Sequence, residues 1–573
     1  MYDSVSRQIV FTLTARCRDC YRCLRACPVK AIRMERGQAY VDEKRCIACG
    51  TCIRECPQKA KSFRHDIDIA QRLIDLGKTV AASIAPSFAA VLNEWQRARL
   101  ASGIRALGFR YVGQTSHGAY QVSYHTLQIL KKDGQRPYIG TACPAIVNYI
   151  EKYRPELVDH LIPIVSPMIA HARMLKEKLG KDTVVIFIGP CVAKKTELLR
   201  PANKGAVDCV LTFGELMLWL NQRGISLNNC EESSFDERPA HLAQLYPLPG
   251  GMIKTAGLDD DGFNPQLIRV DGMAGVKTLL DSLPGESSYT LIEPLFCNNG
   301  CINGPGIGTE KNLFERRMDI LKYDRDTAEI HIVPELQDGV LFHGSYERQE
   351  GILREVSEEE IEQILEKTGK SDPQQQLNCG ACGYDSCREK AIAVAQHMAE
   401  PEMCIPYMRR LAERRTDQIF NTTPNGVVIL DKELKILSIN PAFKKFFFCS
   451  DAVLGRHISY LMDPEPFEKL ISGAVESLDI IRTHKHYNLM CRELLYILKQ
   501  DQQIVGIFIN ITSQQENEKK LKEIKSQTIE QASELLNHQI KMAQTIAQFL
   551  GESTARGEEL VKKLMSLTEG DET

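Results

Sequence analysis

The chain of 573 residues has no excess of charge of either sign, with 71 lysines and arginines against 74 aspartates and glutamates. So balanced a composition advertises neither nucleic acid nor an anionic membrane as a partner. It has no apolar run near the ~20 residues that a bilayer span needs. Residues 1–7 lack the basic–apolar–small pattern of a secretory leader. Together these absences predict a cytoplasmic protein with no membrane span. A disulfide framework is disfavoured on another ground, because the 20 cysteines are clustered. All but Cys209, Cys230, Cys449 and Cys491 fall in metal-ligand spacings, which in a long cytoplasmic chain read as metal sites. Several domains are expected at this length.

Two runs open the chain. Cys17, Cys20, Cys23 and Cys27, followed by Pro28, are repeated as Cys46, Cys49, Cys52 and Cys56, followed by Pro57. This resembles the bacterial two-cluster ferredoxin pattern, in which the fourth cysteine of each run serves the other cluster. The resemblance implies one 4Fe–4S cube on Cys17, Cys20, Cys23 and Cys56, and another on Cys46, Cys49, Cys52 and Cys27. A zinc ribbon is the competing reading, but it needs no duplicated run with Cys-Pro after each.

Three later pieces belong together: Thr141-Ala142-Cys143-Pro144, Gly189-Pro190-Cys191-Val192-Ala193-Lys194-Lys195-Thr196-Glu197, and Cys297-Asn298-Asn299-Gly300-Cys301-Ile302-Asn303-Gly304-Pro305-Gly306. Four cysteines from three segments can close the thiolate positions of a cube. A turn of Gly, Asn and Pro lets backbone come close to a large inorganic group. In this order the pieces resemble the signatures of the iron-only (FeFe) hydrogenases around their H-cluster. There a 4Fe–4S cube is joined through one cysteine to a two-iron subsite carrying carbon monoxide, cyanide and a dithiolate. The resemblance implies that Cys143, Cys191, Cys297 and Cys301 hold the cube and that Cys301 bridges to the two-iron unit. It also implies that Lys194 pairs with a cyanide, that Glu197 is the family's glutamate after the lysine pair, and that Ser87 of Ala85-Pro86-Ser87 is a donor beside the two irons. A plain 4Fe–4S site, or a scaffold without the two-iron unit, remains the alternative.

The run Thr79–Ile84 reads as a buried strand, as does Val184–Ile188 after a helix ending near Gly180. Helix-then-strand order predicts parallel sheets covered on both faces, with Cys191 at a strand's carboxyl end. Pro144 predicts a helix start that places Cys143 at free N–H groups. Residues 246–251 read as a loop near the site. Farther on, Cys379, Cys382, Cys387 and Cys404 resemble the small 4Fe–4S domain of corrinoid iron–sulfur proteins, with zinc as the other reading. Two alternating strands from Ile419 to Ile439, an Asn-led helix and a last strand at Ile504–Thr512 resemble a PAS domain. Its ligand is not named by the residues, and His484 and His486 read as solvent-facing. Leu521, Thr528, Leu535, Met542 and Phe549 recur every seven residues, which predicts a dimeric coiled coil, or else a helix packed on its own PAS domain. The domains expected are a two-cluster ferredoxin domain (1–64), an H-cluster domain of two α/β lobes (65–345), a 4Fe–4S domain (346–412), a PAS domain (413–514) and a helical segment (515–573). The fold class is multidomain α/β and α+β.

Working hydrogenases of this family usually carry a proton-relaying cysteine where this chain has Ala142, and a methyl group carries no proton. Nor is there an Asp or Glu from Tyr111 to Lys132, where the family's relay has carboxylates. Gly189 and Leu295 stand in place of usual methionines. Kept ligands, a lost proton path and a PAS tail resemble the family's sensory branch. That branch implies a dihydrogen or redox signal read at an H-cluster and relayed through four 4Fe–4S clusters to PAS. A redox partner protein and a separate kinase or phosphatase would complete it. A slow catalytic hydrogenase and an iron–sulfur scaffold are the other classes.

Overall fold

The computed structural model describes residues 8–133, 136–258, 264–283, 290–349, 351, 353–498 and 502–568. By contacts the chain falls into two compact units, Met1–Met408 and Arg409–Thr573.

The first unit is built on two parallel sheets. Strand Val80–Ile84 lies between Tyr111–Gln114 and Val184–Gly189, and Cys209–Thr212 extends the far edge. Val80–Ile84 and Val184–Gly189 are buried at every position, as strands covered on both faces by helices must be. Helices Glu94–Ala106, Ser116–Lys132, Pro167–Leu179 and Phe213–Gln222 join this lobe's single apolar core. The second sheet pairs Leu291–Leu295 between Leu267–Asp271 and Tyr138–Ile139. Carboxyl ends of the two central strands, near Gly189 and Leu295, run straight into the loops carrying Cys191 and Cys297.

A second core does not respect the expected segment boundaries. Ile9, Leu24, Ile32 and Ile47 pack in one cluster with Ile146, Ile150, Leu280 and Ile292, and also with Tyr384 and Met403. The two cysteine-rich segments are thus fused to the second sheet's side. Gly50 shows how tightly. It sits at φ +74°, and a Cβ there would meet Pro305 Cγ at 2.5 Å, so only glycine suits both the dihedral and the contact.

In the second unit five antiparallel strands follow the order Ile436–Ile439, Gly426–Leu430, Gln503–Asn510, Leu489–Leu498, Ser477–His484. Asn440 explains the helix start after the second of these in sequence. Its Oδ1 accepts from Phe443 N and Val427 N, each at 2.8 Å, capping helix Pro441–Phe446 and tying it to the sheet. The reading of His484 as solvent-facing is corrected. Its ring stacks edge-on against Phe447, and its Nε2 lies 2.7 Å from Glu493 Oε1, because the position faces the core side of the sheet end. His486 is exposed. The 57-residue helix Thr512–Thr568 leaves the sheet and exposes every side chain from Ser513 to Ser566, so it is not packed on this sheet.

Candidate metal and dihydrogen site

The cysteines assemble into four neighbourhoods. Cys23 feels Cys17, Cys20 and Cys56, while Cys52 feels Cys49, Cys46 and Cys27. In the folded chain Cys56 therefore neighbours the first run and Cys27 the second. Cys27, Cys46, Cys49 and Cys52 wall a cavity of about 320 Å³, and Cys379, Cys382, Cys387 and Cys404 wall another of about 470 Å³. Among the described residues no three His, Cys, Asp or Glu converge on a point that would hold one ion. Thiols spread around a cavity suit a cube with an iron at each corner.

Burial pushes two thiols of the Cys27/46/49/52 set up: Cys27 to about 11, helped by Cys49, and Cys46 to about 12, again with Cys49 adding to it. Left alone, they would stay protonated and neutral. Ligation by iron supplies the positive charge that makes such thiols anionic.

The fourth neighbourhood gathers Cys143, Cys191, Cys297 and Cys301, each raised by burial first; for the last three, neighbouring thiols add to it. Cys143 is the N-cap of helix Pro144–Tyr153, and the N–H groups of Ala145 and Ile146 soften its burial. The glycines of the 297–306 loop do more than leave room for a cluster. A Cβ at Gly300 would meet Pro247 O at 2.3 Å, and one at Gly304 would meet Pro190 O at 2.4 Å. They bring three loops into backbone contact, which fixes where Cys191 and Cys301 point. Arg54 links this site to the ferredoxin segment. Its Nη1 donates to Asn303 O at 2.7 Å, and its charge reaches both Cys49 and Cys297. Tyr384 lies in the fields of both Cys382 and Cys27. The neighbourhoods of Cys143/191/297/301, Cys27/46/49/52 and Cys379–Cys404 therefore adjoin in that order.

Beside Cys301 and Cys191 opens a cavity whose walls include Ser87, Ala142, Lys194, Tyr246 and Glu293. Ser87 is buried at 1% exposure and its Oγ has no hydrogen-bond partner among the described residues. An orphaned buried hydroxyl costs stability unless something occupies the space before it. Lys194 Nζ donates to Glu197 Oε2 at 2.7 Å, to Ser166 Oγ at 2.8 Å and to Ala142 O at 3.3 Å. Glu197 thus holds the ammonium at the cavity wall. Its neighbour Lys195 is a different matter, fully buried between Asp66 and Glu215 at 2.9 and 3.0 Å, a structural knot. A compact anionic group with small polar ligands fits this cavity: a sulfur ligand, an ammonium and an unpaired donor all face it. The methyl of Ala142 faces it too.

Sequence reasoning missed three features here. Phe187 fills the space beside Gly189, where a Cβ would meet its ring at 2.6 Å, and Met168 and Met252 line the cavity from elsewhere in the chain. Glu293 is a buried carboxylate accepting from Met252 N and Ile253 N at 3.2 and 3.1 Å. Its position four residues before Cys297 was the available signal.

Comparison with known proteins gives the following. Residues 78–305 match the family model described as iron only hydrogenase large subunit, C-terminal domain. Residues 9–57 match the 4Fe-4S dicluster domain, residues 375–406 an Fe-S cluster model, and residues 414–479 a PAS domain. The periplasmic Fe hydrogenase large subunit of Nitratidesulfovibrio vulgaris is 25% identical over 278 residues, covering 40% of this chain and 66% of that protein. Iron hydrogenase 1 of Clostridium pasteurianum is 23% identical over 283 residues, 41% of this chain and 49% of that one. The cytosolic Fe-S cluster assembly factor narfl of Xenopus tropicalis is 23% identical over 287 residues, 39% of this chain and 60% of that one. The chain thus spans about half to two thirds of the curated relatives it matches. A solved FeFe-hydrogenase from Chlamydomonas reinhardtii is 20% identical, covers 50% of this chain and 99% of its own, and has a TM-score of 0.39. No helix among the described residues is long and apolar enough to cross a membrane.

Proposed function

We propose, for a chain that carries an iron-only hydrogenase large-subunit domain beside 4Fe–4S dicluster, Fe–S and PAS domains, that it is a sensory hydrogenase with slow turnover. In this reading Cys143, Cys191, Cys297 and Cys301 hold a 4Fe–4S cube, and Cys301 also holds a two-iron unit in the adjoining cavity. Bound there, that unit would supply reversible splitting of dihydrogen into protons and electrons. The chain's own part is to orient and to conduct. Lys194, fixed by Glu197 and Ser166, offers its ammonium to an anionic ligand, and Ser87 offers a hydroxyl. Arg54 and Tyr384 lie between successive thiol sets, so cubes held there would offer electrons a route by way of Cys27/46/49/52 toward Cys379–Cys404. From there the signal reaches PAS and a separate kinase or phosphatase.

The observation that carries this reading is the cavity beside Cys301, with an unpartnered Ser87 hydroxyl and a positioned Lys194 ammonium but no acid or thiol at Ala142. An assembly factor that only carries a cube has no use for that ammonium and hydroxyl. Infrared spectra of protein matured with the two-iron unit decide the matter. Carbon monoxide and cyanide bands that shift under dihydrogen are expected, with oxidation far slower than a working hydrogenase gives. No bands would return the chain to the scaffold class, and fast oxidation would make it an ordinary enzyme.

A further inference from the structure

A chain of buried hydrogen bonds starts at the cavity wall and ends at Glu237, whose side chain is 7% exposed and lies beside the exposed Lys178. Thr115, which lines the cavity, has Oγ1 2.7 Å from Ser83 Oγ. Ser83 Oγ is 2.8 Å from His171 Nδ1, and His171 Nε2 is 2.9 Å from Glu237 Oε2. Ser83 and His171 are wholly buried and Thr115 nearly so. The far oxygen of Glu237 lies 3.9 Å from Nζ of Lys178, whose side chain is 55% exposed. These groups come from four separate elements: strand Val80–Ile84, the N-cap of helix Ser116–Lys132, helix Pro167–Leu179, and an irregular stretch near residue 237.

We propose that Thr115, Ser83, His171 and Glu237 are a proton relay between the dihydrogen cavity and solvent, on a route that does not use Ala142. The proposal rests on the reading of that cavity given above.

Chemistry fixes the sense of the chain. An ionised carboxylate only accepts, so Nε2–H of His171 donates to Glu237 and leaves Nδ1 to accept from Ser83. Ser83 in turn accepts from Thr115, whose free lone pair is available to the cavity. Every member can take a proton on one side as it gives one on the other. Burial acts to raise the Glu237 carboxyl, but His171, then His117 and the Gln114 N–H, outweigh it and hold the carboxyl low, so Glu237 rests as the accepting carboxylate. The other titratable and charged groups facing the pair are Tyr111, Asp236 and Lys178, whose Nζ donates to Tyr111 OH at 2.7 Å.

Packing alone is a poor reason for this arrangement. An ionisable His–Glu pair buried without a task is rarely better than apolar residues of the same size. The backbone is also shaped around it. A Cβ at Gly113 would meet Glu237 Oε2 at 2.5 Å, and one at Gly118 would meet His171 N at 2.6 Å.

The step balances simply. One dihydrogen gives two protons and two electrons, and the electrons reduce the iron–sulfur cubes. For each proton, Thr115 gains one from the cavity and gives its own to Ser83; Ser83 gives its own to His171 Nδ1, and His171 releases its Nε2 proton to Glu237. Glu237 passes it to water beside Lys178. Only O–H and N–H bonds form and break, and rotation of the two hydroxyls with return of the ring tautomer resets the chain.

The test uses the full chain carrying its cubes but no two-iron unit. Reduction of the buried cube beside the cavity draws in a compensating proton, and flash photoreduction with a pH-indicator dye times its uptake. Thr115→Val and Ser83→Ala are expected to slow the fast phase at least ~10-fold, the lower reach of proton-transfer effects, while cube absorbance and melting temperature stay as in the wild type. Thr115→Ser, which keeps the hydroxyl, should keep the fast phase, a rescue that a purely structural role does not explain. If Ser83→Ala does not fold, the Thr115 pair decides alone. Equal uptake in Thr115→Val and wild type overturns the relay. In loaded protein, dihydrogen oxidation by Thr115→Val should fall by the same factor with its infrared bands unchanged. Wild-type protein without those bands defeats the dihydrogen reading, and the dye measurement still decides the relay.

Discussion

The cavity beside Cys301 has two sides of opposite character. The ligand side is held rigidly: Gly300 and Gly304 put backbone against backbone, Gly50 clamps Pro305, and Glu197 pins Lys194 at 2.7 Å. The proton side is replaced. Ala142 offers a methyl, and the helix Ser116–Lys132 offers no carboxylate at all. What the helix lacks is brought in by Glu237, against the strand just before it, with Glu237 Oε2 accepting from Gln114 N at 3.0 Å. On the proposed reading, holding a cluster and moving a proton are separable demands on one fold, met from different parts of the sequence.

The sharpest way to break that contrast is to damage the ligand side. Cys301→Ser should remove the carbon monoxide and cyanide bands and abolish dihydrogen oxidation, since Cys301 is the ligand that the proposed reading gives to the two-iron unit. Restoring the usual proton group tests the other side. Ala142→Cys is expected to raise dihydrogen oxidation by roughly 10- to 100-fold, below the full ~10²–10⁴ of a complete acid–base path, because no carboxylate on the neighbouring helix passes the proton onward. No rise would mean that proton transfer does not limit the wild type.

A smaller effect sharpens the packing argument. Gly50→Ala forces a side chain into a left-handed backbone and against Pro305, for about 1–3 kcal/mol of lost stability in chemical denaturation. An unchanged midpoint would mean that the two loops move apart freely. The cube count is tested by iron analysis of protein without the two-iron unit. About 16 irons per chain are expected from four cubes, and about 12 with bound zinc would reassign Cys379–Cys404. Deleting 515–573 should leave the cavity chemistry untouched while converting dimer to monomer in light scattering; a persisting dimer would place self-association elsewhere.

Much of this was legible in the chain itself. Cysteine spacing marked the two opening runs and Cys379–Cys404, because ligands on short loops keep their geometry in their spacing, whereas Cys143, Cys191, Cys297 and Cys301 came together only through family resemblance. Alternation and β-branched runs gave the strands at Val80 and Val184, and the Asn440 cap was visible as an Asn ahead of a helix. What stayed hidden depends on tertiary contact. Glu237 lies more than a hundred residues from the strand it serves, in a stretch with no periodicity. The shared core of Ile47, Ile150 and Tyr384 joins segments that spacing alone would separate. His484 looked exposed on a strand because nothing local shows that Phe447 covers it.

The 57-residue terminal helix has a consequence of scale. At 1.5 Å per residue it reaches ~85 Å, several times the width of the sheet that starts it. A tilt of about 5° at its base would carry its tip roughly 7 Å, over a distance a side chain cannot span. Its seven-residue stripe also drifts ~20° per repeat on a straight helix. Two such helices can keep their stripes in contact only by winding around each other, so a small rotation at the root becomes a change of phase along the whole rod.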